Sequence, residues 1–229
     1  MLFRDRRHAG ILLANRLQAY RGDTQAILLA LPRGGVIVGH ELSLALHLPL
    51  DVFITRKLSA PEAPEFAVGA VSESGSVYLN QEAVRAMQLS QEDLDGLLAA
   101  QRREIARRQL LYRQGRGVTN LKHKTVIIVD DGIATGATFF ATVEALSALS
   151  PLRIVAAIPV APPSTAERVR ALVDECVILS TPEPFSVMRF AAMETSDKTF
   201  VNPTPVCACG KSVKPTVLGP AEGTTLAAR

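Results

Sequence analysis

The chain has 229 residues, 48% of them hydrophobic, and a formal net charge of +3. That supplies one good core with at most a small appendage. No apolar run approaches the roughly 18 residues of a membrane span, so no membrane partner is expected, and so small a charge suits an anionic small molecule at least as well as nucleic acid.

The N-terminus, MLFRDRRHAG, is basic but contains Asp5 and lacks an apolar signal core, so a cytoplasmic location is expected. Residues 3–20 place Ile11, Leu12, Ala14 and Leu17 at near-helical spacing, which predicts an amphipathic helix ended by Arg21-Gly22-Asp23. AILLAL (26–31) is the first core strand; it breaks at Pro32-Arg33-Gly34-Gly35, and a helix follows over 36–46. LDVFIT (50–55) is the next strand, with Arg56 and Lys57 at its end. Residues 59–80 carry prolines, glycines and a Ser-Glu-Ser-Gly-Ser turn, and predict a loop followed by a hairpin, 66–71 with 77–79. The polar tip 72–76 is expected in solvent.

Ser90-Gln91-Glu92-Asp93 is a capping-box pattern that opens a helix to about residue 113. Leu94, Leu97, Leu98, Ile105 and Tyr112 follow one side of it. The other side carries Arg102, Arg103, Arg107 and Arg108, continuing to Arg113 and Arg116, with Lys122 and Lys124 beyond. Acidic residues interrupt this basic run and few aromatics accompany it, so a solvated helix face is expected before a nucleic-acid surface.

Residues 125–142, TVIIVDDGIATGATFFAT, carry the chemistry. An apolar, β-branched strand ends in two carboxylates, Asp130 and Asp131. Gly132 and the turn Thr135-Gly136-Ala137-Thr138 lead into a helix from about Phe139. In a parallel sheet, ligands bind where a strand ends and the next helix begins. Small turn residues leave backbone N–H groups uncovered beside a helix N-terminus, which suits a phosphate. The two acids suit hydroxyls or a hydrated cation on the same ligand, so a phosphate and a diol together point to a sugar phosphate. A Walker loop and a dinucleotide fingerprint are both absent.

Further on, RIVAAIPV (153–160) is a strand, Ser164-Thr165-Ala166-Glu167 caps a helix to about 173, and residues 176–179 form the last clear strand. The alternation predicts an α/β fold with a doubly wound parallel sheet. Residues 185–200 are expected to form a small C-terminal cover, and 203–229 a poorly ordered tail, which bounds the domain at 1–202. Cys176, in an apolar, strand-like context, is expected to be buried. Cys207 and Cys209 have no neighbouring His and are expected to be thiols rather than a zinc site. The four histidines are scattered and suggest no site.

VIIVDDGIATGAT resembles the phosphoribosyl pyrophosphate (PRPP) signature of type I phosphoribosyltransferases, and the chain looks like a poorly characterised branch of that family over residues 3–197. The resemblance implies displacement of diphosphate from C1 of PRPP by a nitrogenous base, with Mg²⁺. By that resemblance Asp130 and Asp131 are catalytic, holding the ribose hydroxyls and positioning Mg²⁺ through PRPP rather than ligating it directly. Gly132, Ala134, Thr135, Gly136, Ala137 and Thr138 hold the 5′-phosphate region. Arg33, Gly34 and Gly35 form the diphosphate turn, and Lys57, with Arg56 beside it, stabilises the leaving charge. The hairpin region matches either a mobile flap or a fixed element. Ala134 stands where 6-oxopurine enzymes carry a third acid, which weakens a hypoxanthine–guanine assignment and leaves the accepting base open. A non-catalytic PRPP or nucleotide sensor with RNA binding, another enzyme of a ribose-5-phosphate ligand, and a homo-oligomer also stay open.

Overall fold

The computed structural model describes residues 3–60, 62–113 and 119–183. In chain order its elements are α1 (Arg6–Arg16), β1 (Ala26–Ala30), α2 (Gly34–Leu46), β2 (Leu50–Val52), β3 (Thr55–Ala60), β4 (Ala63–Ser72), β5 (Val77–Leu79) and α3 (Gln81–Ala86). They continue as α4 (Gln91–Arg113), β6 (Thr125–Val129), α5 (Ala137–Ser147), β7 (Arg153–Val160), α6 (Pro163–Arg170) and β8 (Glu175–Ser180). Five strands form a parallel sheet in the order β2-β1-β6-β7-β8, and three form an antiparallel sheet, β3-β4-β5.

The unbroken apolar runs are central strands. Every residue of β1 and β6 is buried, because helices cover both faces of the sheet. Alternation divides their side chains between two cores. Leu28, Ala30, Ile127 and Val129 pack with Leu13 of α1, Leu17 just after it, and Val38 and Leu42 of α2. Ile27, Leu29, Val126 and Ile128 pack on the other side with Phe139, Val143 and Leu146 of α5 and Val169 of α6. The doubly wound expectation is met. A third core, built on Ile54, Leu58, Val68 and Val71, joins the antiparallel sheet to Leu94 and Ile105 of α4.

The predicted strand 50–55 is two strands in two sheets. Phe53 N–H still donates to Ala30 of the parallel ladder at 3.1 Å, but at Ile54 the chain leaves it. The Ile54 N–H donates to the Glu73 carboxylate at 3.0 Å, and the Ile54 carbonyl accepts from Glu73 N–H at 2.9 Å. Glu73 thus supplies both partners that the ladder no longer provides, which a backbone buried at this turn requires. Arg56 and Lys57 consequently lie inside β3 and not at the end of a parallel strand.

The same residue corrects two other expectations. The 72–76 tip is not wholly solvated: Ser74 and Gly75 are exposed, but Ser72 is buried and the Glu73 side chain is fully enclosed. Arg113, assigned from sequence to the solvated basic face, is buried and paired bidentately with Glu73. It also donates to the Val52 carbonyl at 2.7 Å and approaches Asp51. Burial pushes the Glu73 pKa up, and Arg113 works against that shift. Along the rest of the basic run, Arg107 and Arg108 are held by Glu104, while Arg102 and Arg103 are exposed.

Local signals are met at other ends. Ser90 and Asp93 form a reciprocal capping box, with Asp93 N–H donating to Ser90 Oγ at 3.1 Å and Ser90 N–H to Asp93 at 2.9 Å. The expected Ser164 box is absent: α6 begins at Pro163 with no side-chain cap, since Pro is pre-organised for a first helical turn. Helix α3, capped by Asn80, was not anticipated. Cys176 lies half-buried on edge strand β8. No helix of the described residues is long and apolar enough to cross a membrane. The expected cover at 185–200, the tail at 203–229 with Cys207 and Cys209, and Arg116 lie outside the described residues.

Arg113→Leu leaves the enclosed Glu73 carboxylate without its cation, and is expected to cost about 3–5 kcal/mol in urea unfolding. Adding Glu73→Leu should recover a large part of that loss. Equal stability of wild type and the single variant would show that the pair does not hold the two sheets together.

Candidate functional site

Strand pairing places the site. The register sets Ala30 opposite Val129, and Leu31 N–H donates to the Val129 carbonyl at 2.9 Å, so β1 and β6 end side by side. From β1 the chain crosses to β2 on one side; β6 and its successors lie on the other. The gap between β1 and β6 is therefore the switch point of the sheet, where the loops diverge and leave a crevice. Pro32-Arg33-Gly34-Gly35 leaves β1 there, and Asp130-Asp131 leaves β6.

The two turns touch. A side chain at Gly34 would overlap the Asp131 carboxylate. A Cβ at Gly35 would stand 2.7 Å from the Val129 carbonyl and 3.0 Å from the Asp130 backbone. Glycine is needed at both positions for this approach, whatever else the loop binds. The Pro32–Arg33 peptide is cis, and Arg33 is exposed at the head of α2.

Asp131 N–H donates to its neighbour's Oδ1 at 2.8 Å. The pKa of Asp130 is pushed well up, first by burial and next by the adjacent Asp131 charge. Arg6, from the first turn of α1, donates through Nε to Asp131 Oδ2 at 2.7 Å. Both side chains of that pair are largely sealed, at 13% and 19% exposure. Its positive charge draws the Asp130 pKa the other way.

The turn after the acids is fixed from below. Ile133 N–H donates to the Val160 carbonyl at 3.0 Å, and Thr165 of α6 donates its hydroxyl to the Ala134 carbonyl at 2.8 Å. Gly136 caps α5 at φ +80°, and the Phe140 ring fills the space a side chain there would need. Arg168 lies over that ring, 4.2 Å from its centroid. No side chain caps α5, so the N–H groups of its first turn have no capping acceptor and carry the positive end of the helix dipole. Ala134 and Thr135 are exposed there.

The structure thus gathers Arg33, Gly34, Gly35, Asp130, Asp131, Gly132, Ala134, Thr135, Gly136, Ala137 and Thr138 at one edge of the sheet. The two cations on β3 separate. Thr55 accepts from Thr142 of α5 at 2.9 Å, and strand alternation puts Lys57 on that same face. Arg56 faces the other way and donates to Gln101 of α4 at 2.9 Å. It is not brought together with the rest.

Sequence reasoning missed Arg6, which lies 125 positions from its partner. One signal was available. Arg6 and Arg7 occupy the first turn of a helix that has no acidic residue there, against the macrodipole. Asp5 at the N-cap supplies one carboxylate to that end of the helix, and the two arginines find theirs on other elements, Asp131 for Arg6 and Glu41 for Arg7.

The donor set suits Mg²⁺ held through a ligand. Two adjacent carboxylates offer hard oxygens, and among the described residues no group of three or more metal-binding side chains occurs. Mg²⁺ commonly completes its octahedron with phosphate oxygens and water beside one or two carboxylates.

Known proteins agree with this architecture. A sequence model described as the phosphoribosyl transferase domain matches residues 6–190. A Mycobacterium tuberculosis protein provisionally named a phosphoribosyl transferase, found in two strains, is 41% identical over 184 residues. The match covers 80% of this chain and 41% of the relative, so the chain spans about two fifths of the length of the curated relatives it matches. The crystal structure of TT1426 from Thermus thermophilus superposes with a TM-score of 0.70 at 43% identity, over 81% of this chain and 88% of that one. This chain belongs to the phosphoribosyl transferase domain family.

Proposed function

We propose that the protein transfers a phosphoribosyl group from PRPP to a nitrogenous base and releases diphosphate, with Mg²⁺ bound alongside PRPP. The observation that carries this reading is the meeting of three parts at the switch point. They are a carboxylate pair for a diol, an open helix start for a phosphate, and a glycine turn with Arg33 for a diphosphate.

The C1–oxygen bond breaks with its electron pair leaving on diphosphate, so positive charge grows on the ribose ring. Bound Mg²⁺ supplies charge neutralisation on the diphosphate oxygens. Arg33 and Lys57 add fixed positive charge on the same leaving group, where preorganised donors act most strongly. Asp130 and Asp131 accept hydrogen bonds from the ribose hydroxyls and set the ring. Backbone N–H groups from Thr135 to Thr138 hold the 5′-phosphate, whose binding energy orients C1. The incoming nitrogen bonds to C1 as the diphosphate departs, and its proton passes to solvent water. A panel of bases with PRPP and Mg²⁺, read as diphosphate release, tests the reaction; release that no base stimulates would count against transfer.

Asp130→Asn and Asp131→Asn are each expected to leave the fold intact and to shrink the thermal shift produced by PRPP with Mg²⁺. A full shift in the double variant would displace the diol site from this pair.

Arg33→Ala and Lys57→Ala should weaken PRPP more than ribose 5-phosphate, each by about 1.5–3 kcal/mol, because only PRPP carries the diphosphate. Isothermal titration with both ligands measures this, and equal losses would place the two cations elsewhere.

The raised Asp130 pKa has a signed consequence. The folded chain keeps a proton that the unfolded chain has released, so stability falls as pH rises from the ordinary carboxylate range through the elevated value. Over that window the affinity for PRPP should rise, because the ionised carboxylate is the better acceptor. Asp130→Asn should flatten the stability slope, and an unchanged slope in urea unfolding across pH would contradict the assignment.

A further inference from the structure

Helix α1 brings a residue to the site that none of the motifs contains. Arg6 reaches Asp131 Oδ2 through Nε at 2.7 Å, in a contact largely closed to solvent. The carboxylate is confined from a second direction by Gly34, which has room for hydrogen alone. Asp5 caps α1 by accepting from His8 N–H at 2.7 Å, and Leu13 of α1 packs in one buried cluster with Val38 and Leu42 of α2. Arg6 is therefore delivered by a helix locked to α2, the helix that begins with the Gly34-Gly35 turn.

We propose that Arg6 is a positioning residue for the ribose, acting through Asp131. The inference rests on the functional reading above. Two neighbouring carboxylates with free rotamers could turn either oxygen towards a ligand. With Oδ2 engaged by Arg6 and the group hemmed in by Gly34, Asp131 presents Oδ1 in one orientation to a ribose hydroxyl. The guanidinium also offsets one of the two adjacent negative charges, so that the pair can accept from a diol while a phosphorylated anion is bound close by. Arg6 is thus assigned to the ribose, and Arg33 and Lys57 to the diphosphate.

That division sets the experiment. Arg6→Gln and Arg6→Lys are titrated with PRPP and with ribose 5-phosphate in the presence of Mg²⁺, beside Arg7→Gln as a control on the same helix turn. Arg6→Gln should weaken both ligands by the same factor, roughly ten- to hundredfold. Arg6→Lys should restore part of the loss, and Arg7→Gln should match wild type. In an Asp131→Asn background Arg6→Gln should add little, because a residue acting through Asp131 has nothing left to position. In turnover, with a base that supports diphosphate release, the loss should fall on KM for PRPP more than on kcat. Three results overturn the inference while leaving the functional reading in place: unchanged affinity in Arg6→Gln, a loss confined to PRPP, or full additivity with Asp131→Asn. Failure of the wild-type protein to bind either ligand overturns the functional reading and the inference with it.

Discussion

The close approach of two backbone turns governs the site. Strands β1 and β6 pair in a register that ends both at the same level, and the chains leaving them meet where Gly34 and Gly35 have no side chains. Larger residues there would push α2 away from the acid pair. Neither strand could then keep its register without opening the crevice. The glycines are thus steric requirements of the fold before they are parts of a ligand cradle. A backbone N–H brought this near a carboxylate pair and a helix start can also serve an anion.

The acid pair depends on charge brought from outside its own loop. Asp130 is driven towards its protonated form by burial and by its neighbour. Arg6 opposes that, across a contact that is nearly closed to water. A paired charge in a sealed place is costly to disrupt, because the partner left behind loses both solvent and counter-ion. Helix α1 is therefore more than a cover over the Leu28 and Val129 side of the sheet. It carries one member of the charge arrangement at the site.

A second buried pair decides where the antiparallel sheet sits. Glu73 takes both backbone groups of Ile54 at the point where the chain changes sheets, and Arg113 from the end of α4 neutralises it. The turn after β4 is thereby tied to the end of β2. Thr55 and Thr142 join the same sheet to α5, which begins at the Thr135–Thr138 turn. Lys57 faces α5 and Arg56 faces α4 for this reason, although the two are adjacent in sequence.

Much of this was legible in the sequence. Apolar runs ending in Pro-Arg-Gly-Gly and in Asp-Asp, each followed by a helical pattern, determined the strand–turn–helix units, because burial on both sheet faces demands continuous apolar strands. The spacing of Asp130, Asp131 and Thr135-Gly136-Ala137-Thr138 pointed to a sugar-phosphate ligand, because these groups lie within one loop. The tertiary structure alone decided which distant charges serve which purpose. Arg113 read as one more exposed arginine until Glu73, 40 positions away, enclosed it. Arg6 read as part of a basic N-terminus until α1 packed on α2 and reached Asp131. Local patterns record what neighbours along the chain can do, whereas the pairing of buried charges depends on which elements the packed core brings within about 3 Å of each other.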